Sequence, residues 1–124
     1  MSISEQIADK LKALEAKVPG IEASLVATPD GLPIASALPP DADEERVAAM
    51  CATVYSSAER VCHELGKGAV ETSFVRGEGG YVLVCSAGPN AILMVMTSPD
   101  AKLGLLFLEM KRLAKEIEEM VSKL

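Results

Sequence analysis

The chain has 124 residues, of which 49% are hydrophobic and only 3% aromatic, and its 12 basic and 18 acidic side chains give a net charge of −6. This length suits one domain with its own core, and that core must be aliphatic. The acidity excludes a general polyanion binder, because phosphate neutralisation needs a basic patch and the Lys and Arg residues here stand mostly singly among acids.

The first residues predict a helix over 2–18. Ile3, Ile7, Leu11, Leu14 and Val18 recur at helical spacing, and Ser2-Ile3-Ser4-Glu5 fits a capping box. Nothing there has the apolar segment of a signal peptide, and no later run reaches the roughly 18 apolar residues of a membrane span. Pro19-Gly20 ends the helix. Ile21–Leu38 then reads as a tight β-hairpin around Pro29-Asp30-Gly31, three residues with defined turn roles. Pro33 lies in its second strand. A proline cannot donate to a ladder, so that strand belongs at a sheet edge.

Pro39-Pro40-Asp41-Ala42-Asp43-Glu44 starts a second helix that runs to about Leu65, with Asp41 or Asp43 as its cap and Gly66 and Gly68 beyond its end. This helix is rich in small residues, and its apolar positions cover more than one stripe. Val47, Cys51, Val54, Ala58, Val61 and Leu65 make one face, which Ala48, Ala52, Tyr55 and Cys62 widen. So wide an apolar arc implies cover on two sides: the helix's own sheet, and a second subunit. Residues 41–65 hold six acids and two bases, whereas residues 101–124 hold four acids and five bases. The second helix therefore presents an acidic surface able to steer a basic partner.

Three strands follow. Residues 69–75 (AVETSFV) alternate, with Val70, Thr72 and Phe74 on one side, and read as peripheral. Residues 76–80 make a glycine-rich hairpin loop. YVLVCSA and AILMVMT are nearly continuous apolar runs, as expected of central strands buried on both faces. Ser98-Pro99-Asp100 opens a last helix of about 20 residues with a long apolar stripe. The expected fold is α+β (α/β in the wider sense): a five-stranded antiparallel sheet with helices on both faces, in the order α-β-β-α-β-β-β-α.

No catalytic constellation is present. Gly66-Lys67-Gly68 lacks both the hydroxyl residue and the earlier glycine of a phosphate loop, and the 76–80 loop precedes a strand rather than a helix. His63 is the only histidine. Cys51 and Cys62, about 16 Å apart along one helix, do not converge on a metal. Cys51, Cys62 and Cys85 are an odd set without disulfide density, so reduced, buried thiols are expected. Ser56, Ser57, Glu116, Glu118 and Glu119 have no partners that would mark a nucleophile or an acid–base pair. The expectation is a single cytoplasmic domain over residues 1–124 with no enzymatic activity, cofactor, metal, nucleic-acid partner or direct membrane insertion.

Taken in order, several pieces carry a resemblance. Ile21–Val26 leads through Asp30-Gly31-Leu32-Pro33 to Ser36; the small-residue helix follows; then come Tyr81–Val84, Ile92–Met96 and Ala101-Lys102-Leu103-Gly104-Leu105. Over about residues 3–121 the chain resembles the roadblock family of dynein light-chain-type domains, as a single-domain, prokaryotic-type member with a roadblock/profilin-like fold. The resemblance implies a homodimer or heterodimer in which the second helices pack together and the middle strands pair. Here that would use Val47, Cys51, Val54, Tyr55, Ala58 and Val61 on the helix and Val70, Thr72 and Phe74 on the strand. It also implies a scaffold or regulator of a small Ras-like GTPase, affecting its nucleotide cycle or its location. Asp43, Glu44, Arg46, Glu59 and Arg60 are candidate partner contacts. The two arginines are expected in salt bridges with Glu44, Glu45 or Glu64 rather than as arginine fingers. The alternatives are a dimerisation scaffold that meets no GTPase, and a small-ligand sensor, against which the dry aliphatic core argues.

Overall fold

A computed structural model describes residues 1–124. The first helix, α1 (Ile3–Lys17), begins with the expected capping box: the Glu5 amide donates to Ser2 Oγ at 3.1 Å, and the Ser2 amide donates to Glu5 Oε1 at 3.3 Å. The hairpin follows as β1 (Ile21–Ala27) and β2 (Pro33–Ala37). Its turn is closed by the Gly31 amide donating to the Thr28 carbonyl (2.9 Å) and the Thr28 amide donating to the Leu32 carbonyl (2.8 Å). Gly31 sits at φ 97°, in the left-handed region a glycine enters without strain.

The remaining elements are α2 (Glu44–Glu64), β3 (Thr72–Gly77), β4 (Gly80–Ser86), β5 (Ile92–Thr97) and α3 (Leu103–Val121). Asp43 caps α2 by accepting from the Arg46 amide at 3.2 Å. The helix thus starts later than Pro39; residues 39–42 form a turn held by the Ala42 amide on the Pro39 carbonyl. The expected cap of the last helix is also displaced. Ser98 and Asp100 bond each other, and Lys102 precedes the helix without capping it.

The five strands form one antiparallel sheet in the order β2-β1-β5-β4-β3. Pro33 lies at the β2 edge, as the sequence requires, opposite Ala27 where the register slips. Central β5 pairs with β1 and β4 and is buried on both faces. On one face, Ile7, Leu11, Leu14 and Val18 of the α1 segment and Leu106, Met110 and Ile117 of α3 pack on Val26, Leu83, Leu93 and Val95. On the other, Ala48, Cys51, Ala52 and Tyr55 of α2 cover Leu25, Val84, Ile92 and Met94. Each fully buried Leu or Ile contributes about 1.5–3 kcal/mol, so the face shared by α1 and α3 dominates the hydrophobic stabilisation.

The boundaries of β3 differ from the expectation of 69–75. The strand starts at Thr72 and runs to Gly77, leaving a two-residue turn at Glu78-Gly79. Val70 precedes the strand and is buried in the cluster beneath α2.

Ser24 in β1 is completely buried, and its hydroxyl reaches Glu15 Oε1 of α1 at 3.4 Å. Desolvation raises the Glu15 pKa above its ordinary value, opposed by that hydrogen bond and by Lys12. A raised folded-state pKa makes the stability contribution largest at low pH and removes it as the pH rises through the folded value. Glu15→Gln should therefore gain thermal stability relative to the native chain between about pH 4 and pH 7. Paired thermal melts across that range test this; a difference that is constant with pH would show that Glu15 does not titrate differently on folding.

Candidate interaction surfaces

The helices cover β3 least of the five strands. In β3 every residue but Ser73 is exposed, and Phe74 and Val75 expose 44% and 45% of their surface. Cross-strand partners assign their sides. Thr72 and Phe74 lie opposite Cys85 and Leu83, so they face the α1/α3 side; Ser73 and Val75 lie opposite Val84 and Val82 and face α2. The strand is apolar on both faces. Its backbone orientation follows from the turn. Gly77 and Gly80 flank a two-residue connection and form a hydrogen-bonded pair, so by alternation Val75 and Ser73 also bond β4. Thr72, Phe74 and Arg76 therefore turn their N–H and C=O groups outward.

The wide apolar arc of α2 resolves into two stripes with different uses. Cys51 and Tyr55 are buried against the sheet, and Val47, Ala58 and Cys62 pack partly against the same cluster. The sequence reading placed the first four of these in the dimer contact; Cys51 and Tyr55 are core residues of the single chain, and Val47 and Ala58 are half-buried. Its small residues also have an internal cause: a Cβ on Gly31 would lie 3.2 Å from the Ala49 Cα, so the β1–β2 turn sits directly on the helix backbone. The outward stripe is Met50, Val61 and Leu65, at 52%, 55% and 69% exposure, and half-buried Val54 lies on the same helical line outside the α2 cluster. Met50 was missed, although its four-residue spacing to Val54 and eleven-residue spacing to Val61 marks one helical line.

Of the nine predicted contact residues, Val54, Val61, Thr72 and Phe74 are thus placed on outward surfaces. Cys51, Tyr55 and Val70 belong to the interior, and Val47 and Ala58 lie at its margin.

The charged candidates on α2 are all exposed. The expected salt bridges of Arg46 and Arg60 are absent: the ion pairs join Lys10 to Glu116, Lys17 to Glu109 and Arg112 to Glu109. Glu44 instead accepts from the Ser36 hydroxyl of β2, which removes it as a partner for Arg46. Both guanidinium groups are left to solvent.

On the opposite side of the sheet an open groove of about 420 Å³ runs between β3 and α3, lined by Val70, Cys85, Phe107, Met110, Ala114 and charged residues of α3. Burial pushes the Cys85 thiol up to about 12 and the Cys51 thiol up to about 11, so both are protonated and unreactive at neutral pH. No three His, Cys, Asp or Glu side chains gather as a metal site, and no helix is long and apolar enough to cross a membrane.

The family model for the Roadblock/LC7 domain matches residues 7–97, from α1 to the end of β5. The chain belongs to the Roadblock/LC7 family. An uncharacterized protein of Methanocaldococcus jannaschii is 42% identical over 104 residues, which cover 84% of this chain and 90% of that protein. Among solved structures, a Roadblock/LC7 domain from Streptomyces avermitilis superposes with a TM-score of 0.87 at 24% identity, covering 93% of this chain and 97% of its own. An MglB structure with a tetrameric arrangement gives 0.89 at 19% identity, covering 99% of this chain and 93% of its own. Profilin II of Acanthamoeba castellanii gives 0.63 at 14% identity, covering 92% and 95%. At these identities the solved structures show a shared fold. The roadblock/profilin-like architecture expected from the sequence is the one observed.

Adjacent residues of α2 should respond oppositely to the same substitution. Tyr55→Asp places an unpaired carboxylate in the core and should destabilise the domain by about 3 kcal/mol or more, whereas Val54→Asp should leave the monomer fold within about 1 kcal/mol. Denaturant melts of the two variants, compared under conditions where both are monomeric, give the answer; similar losses would refute the assignment of the two stripes.

Proposed function

We propose that the protein is a non-enzymatic homodimeric module that binds a small Ras-like GTPase and alters its nucleotide cycle or its location. The observation that carries the dimer is the β3 edge. Phe74 and Val75 put one exposed apolar side chain on each face, the outward backbone groups are unpaired, and no proline guards the edge. A second copy of the same strand satisfies those groups, and an antiparallel pair related by a two-fold axis is self-complementary. A register centred on Phe74 uses all three outward residues of each copy, placing Thr72 opposite Arg76 of the second copy. The outward stripe of α2, from Met50 to Leu65, lies on the α2 side of this seam and would pack against its symmetry mate. The tetrameric arrangement of the MglB structure is compatible with an assembling fold.

The GTPase rests on the family resemblance, with the exposed Asp43, Glu44, Arg46, Glu59 and Arg60 as the contacts this surface offers. A dimerisation scaffold without a GTPase uses the same β3 edge, so the two readings part only at the partner.

Light scattering at micromolar concentration should give twice the monomer mass, and Val54→Asp or Val75→Lys should halve it while retaining the monomer's circular dichroism. Phe74→Cys should cross-link two chains on mild oxidation, because a directly opposed pair has Cα atoms about 5.5 Å apart, within disulfide reach. A monomer at all concentrations would refute the dimer. For the partner, the small GTPases of the source organism are assayed for binding and GTP hydrolysis with and without the protein. Binding by at least one is expected, weakened about tenfold by Arg60→Ala or Arg46→Ala. Binding by none, in either nucleotide state, would leave the scaffold reading.

A further inference from the structure

We propose that two charged residues beside the β3 seam, Glu71 and Arg76, select the second copy: Arg76 of each chain pairs with Glu71 of the other, at the open side of its β3–α3 groove. This rests on the dimer proposed above and names what decides which chain can complete it. Glu71 and Arg76 are both exposed. Neither joins an ion pair within the chain, whose pairs are Lys10–Glu116, Lys17–Glu109 and Arg112–Glu109. They stand at opposite ends of the strand, one just before Thr72 and the other just before Gly77. Opposite charges at the two ends of an edge strand become two ion pairs when a two-fold axis passes through its middle.

The two side chains lie on the same face of the sheet. Arg76 lies over the Tyr81 ring, 5.8 Å from its centroid, and Tyr81 packs with the cluster beneath α1 and α3. Glu71 precedes the strand and does not follow its alternation: it lines the groove between β3 and α3 together with Thr72, Cys85 and Lys111. The groove's own charges balance, two lysines against two glutamates, so its lining admits either sign. What brings a guanidinium to Glu71 is the backbone register.

In a register centred on Phe74, Thr72 stands opposite Arg76 of the second copy, at a Cα separation of about 5.5 Å. Glu71 is one residue further along, a rise of about 3.4 Å, so its Cα lies about 6.5 Å from the Cα of that arginine. Arginine and glutamate side chains bridge such a span. The same register keeps the two Arg76 residues about 14 Å apart along the seam. A register centred on Arg76 would set two guanidinium groups against each other, and like charges directly opposed destabilise a strand pair. Exposed pairs add little to the strength of the proposed dimer, which comes from burial of Phe74, Val75 and the α2 stripe; they add discrimination. A chain with one of these charges reversed meets one like-charge contact against the native chain and two against itself, because the symmetry doubles the mismatch.

The test uses the full chain and two single reversals, Glu71→Arg and Arg76→Glu, with dimer dissociation read by analytical ultracentrifugation at low salt. Each variant alone should keep the monomer's circular dichroism, because both positions are exposed. Each should dimerise about tenfold more weakly than the native chain, since both of its contacts become repulsive. Mixed together, the two should form a heterodimer of near-native affinity, because each reversed residue then faces its opposite charge. Native mass spectrometry of the mixture should show that heterodimer in excess over its random share. The double variant should dimerise as the native chain does, and added salt should narrow every difference. A native dimer with no loss in either single variant, or random mixing of the two, would overturn the pairing and leave the dimer standing. Losses without recovery in the mixture would mark the two positions as structural and overturn it as well. A native chain that stays monomeric at all concentrations would overturn the dimer itself, and this inference with it.

Discussion

Three helices have to cover two faces of a five-stranded sheet, and the width does not suffice. Strands lie about 4.8 Å apart and packed helices about 8–10 Å apart, so two helices side by side cover roughly four strands. Here α1 lies over β2 and β1, and α3 over β5 and β4. The face ends before β3. On the other side the single helix α2 must cross the sheet obliquely, touching β1, β2, β4 and β3 in turn. The exposure of β3 is thus a consequence of layer widths, and the apolar residues on both its faces are what turn an uncovered strand into a surface with a use.

The two edges of the sheet answer this constraint in opposite ways. At β2, proline removes a donor, the register slips beside it, and the turn before it is clamped on α2 through Gly31. That edge is closed to addition. At β3, Thr72, Phe74 and Arg76 keep every donor and acceptor, and no bulge twists the strand away. Proline thus guards one edge, while the other is left regular. The proposed dimer would close on itself, because a strand paired with its own symmetry copy has no free edge left.

The order of elements, the capping box, the hairpin turn and the edge position of Pro33 were all legible in the sequence, because each depends on residues within a few positions of one another. The apolar density of β4 and β5 gave their burial for the same reason. What sequence reasoning blurred was α2. Its two apolar stripes differ by about a quarter turn, and valine, cysteine and alanine occur on both, so composition alone could not say which faced the sheet. Tyr55 looked like an interface aromatic and is a core residue; Val54 beside it is half-buried and stays out of that cluster. The start of β3 was misplaced because Val70 extends the apolar alternation by two residues, while its burial under α2 depends on a helix that the local sequence does not contain. The missing Arg46 salt bridge has the same origin. Glu44 is drawn away by Ser36, a residue of another element.

That rearrangement of charge gives the two sides of the protein different characters. On α2 the acids outnumber the bases, and the two arginines stand free among them. On the α3 side, Glu109 is held by Lys17 and Arg112 and Glu116 by Lys10, while Glu118, Glu119, Lys111 and Lys115 join no ion pair. A net charge of −6 would suggest one uniform acidic surface. Pairing leaves an acidic helix on one face and a groove lined by two lysines and two glutamates on the other, with the sheet between them. The fold's shortage of helical cover leaves β3 exposed, and the local pairing of side chains sets the charge on each side of it.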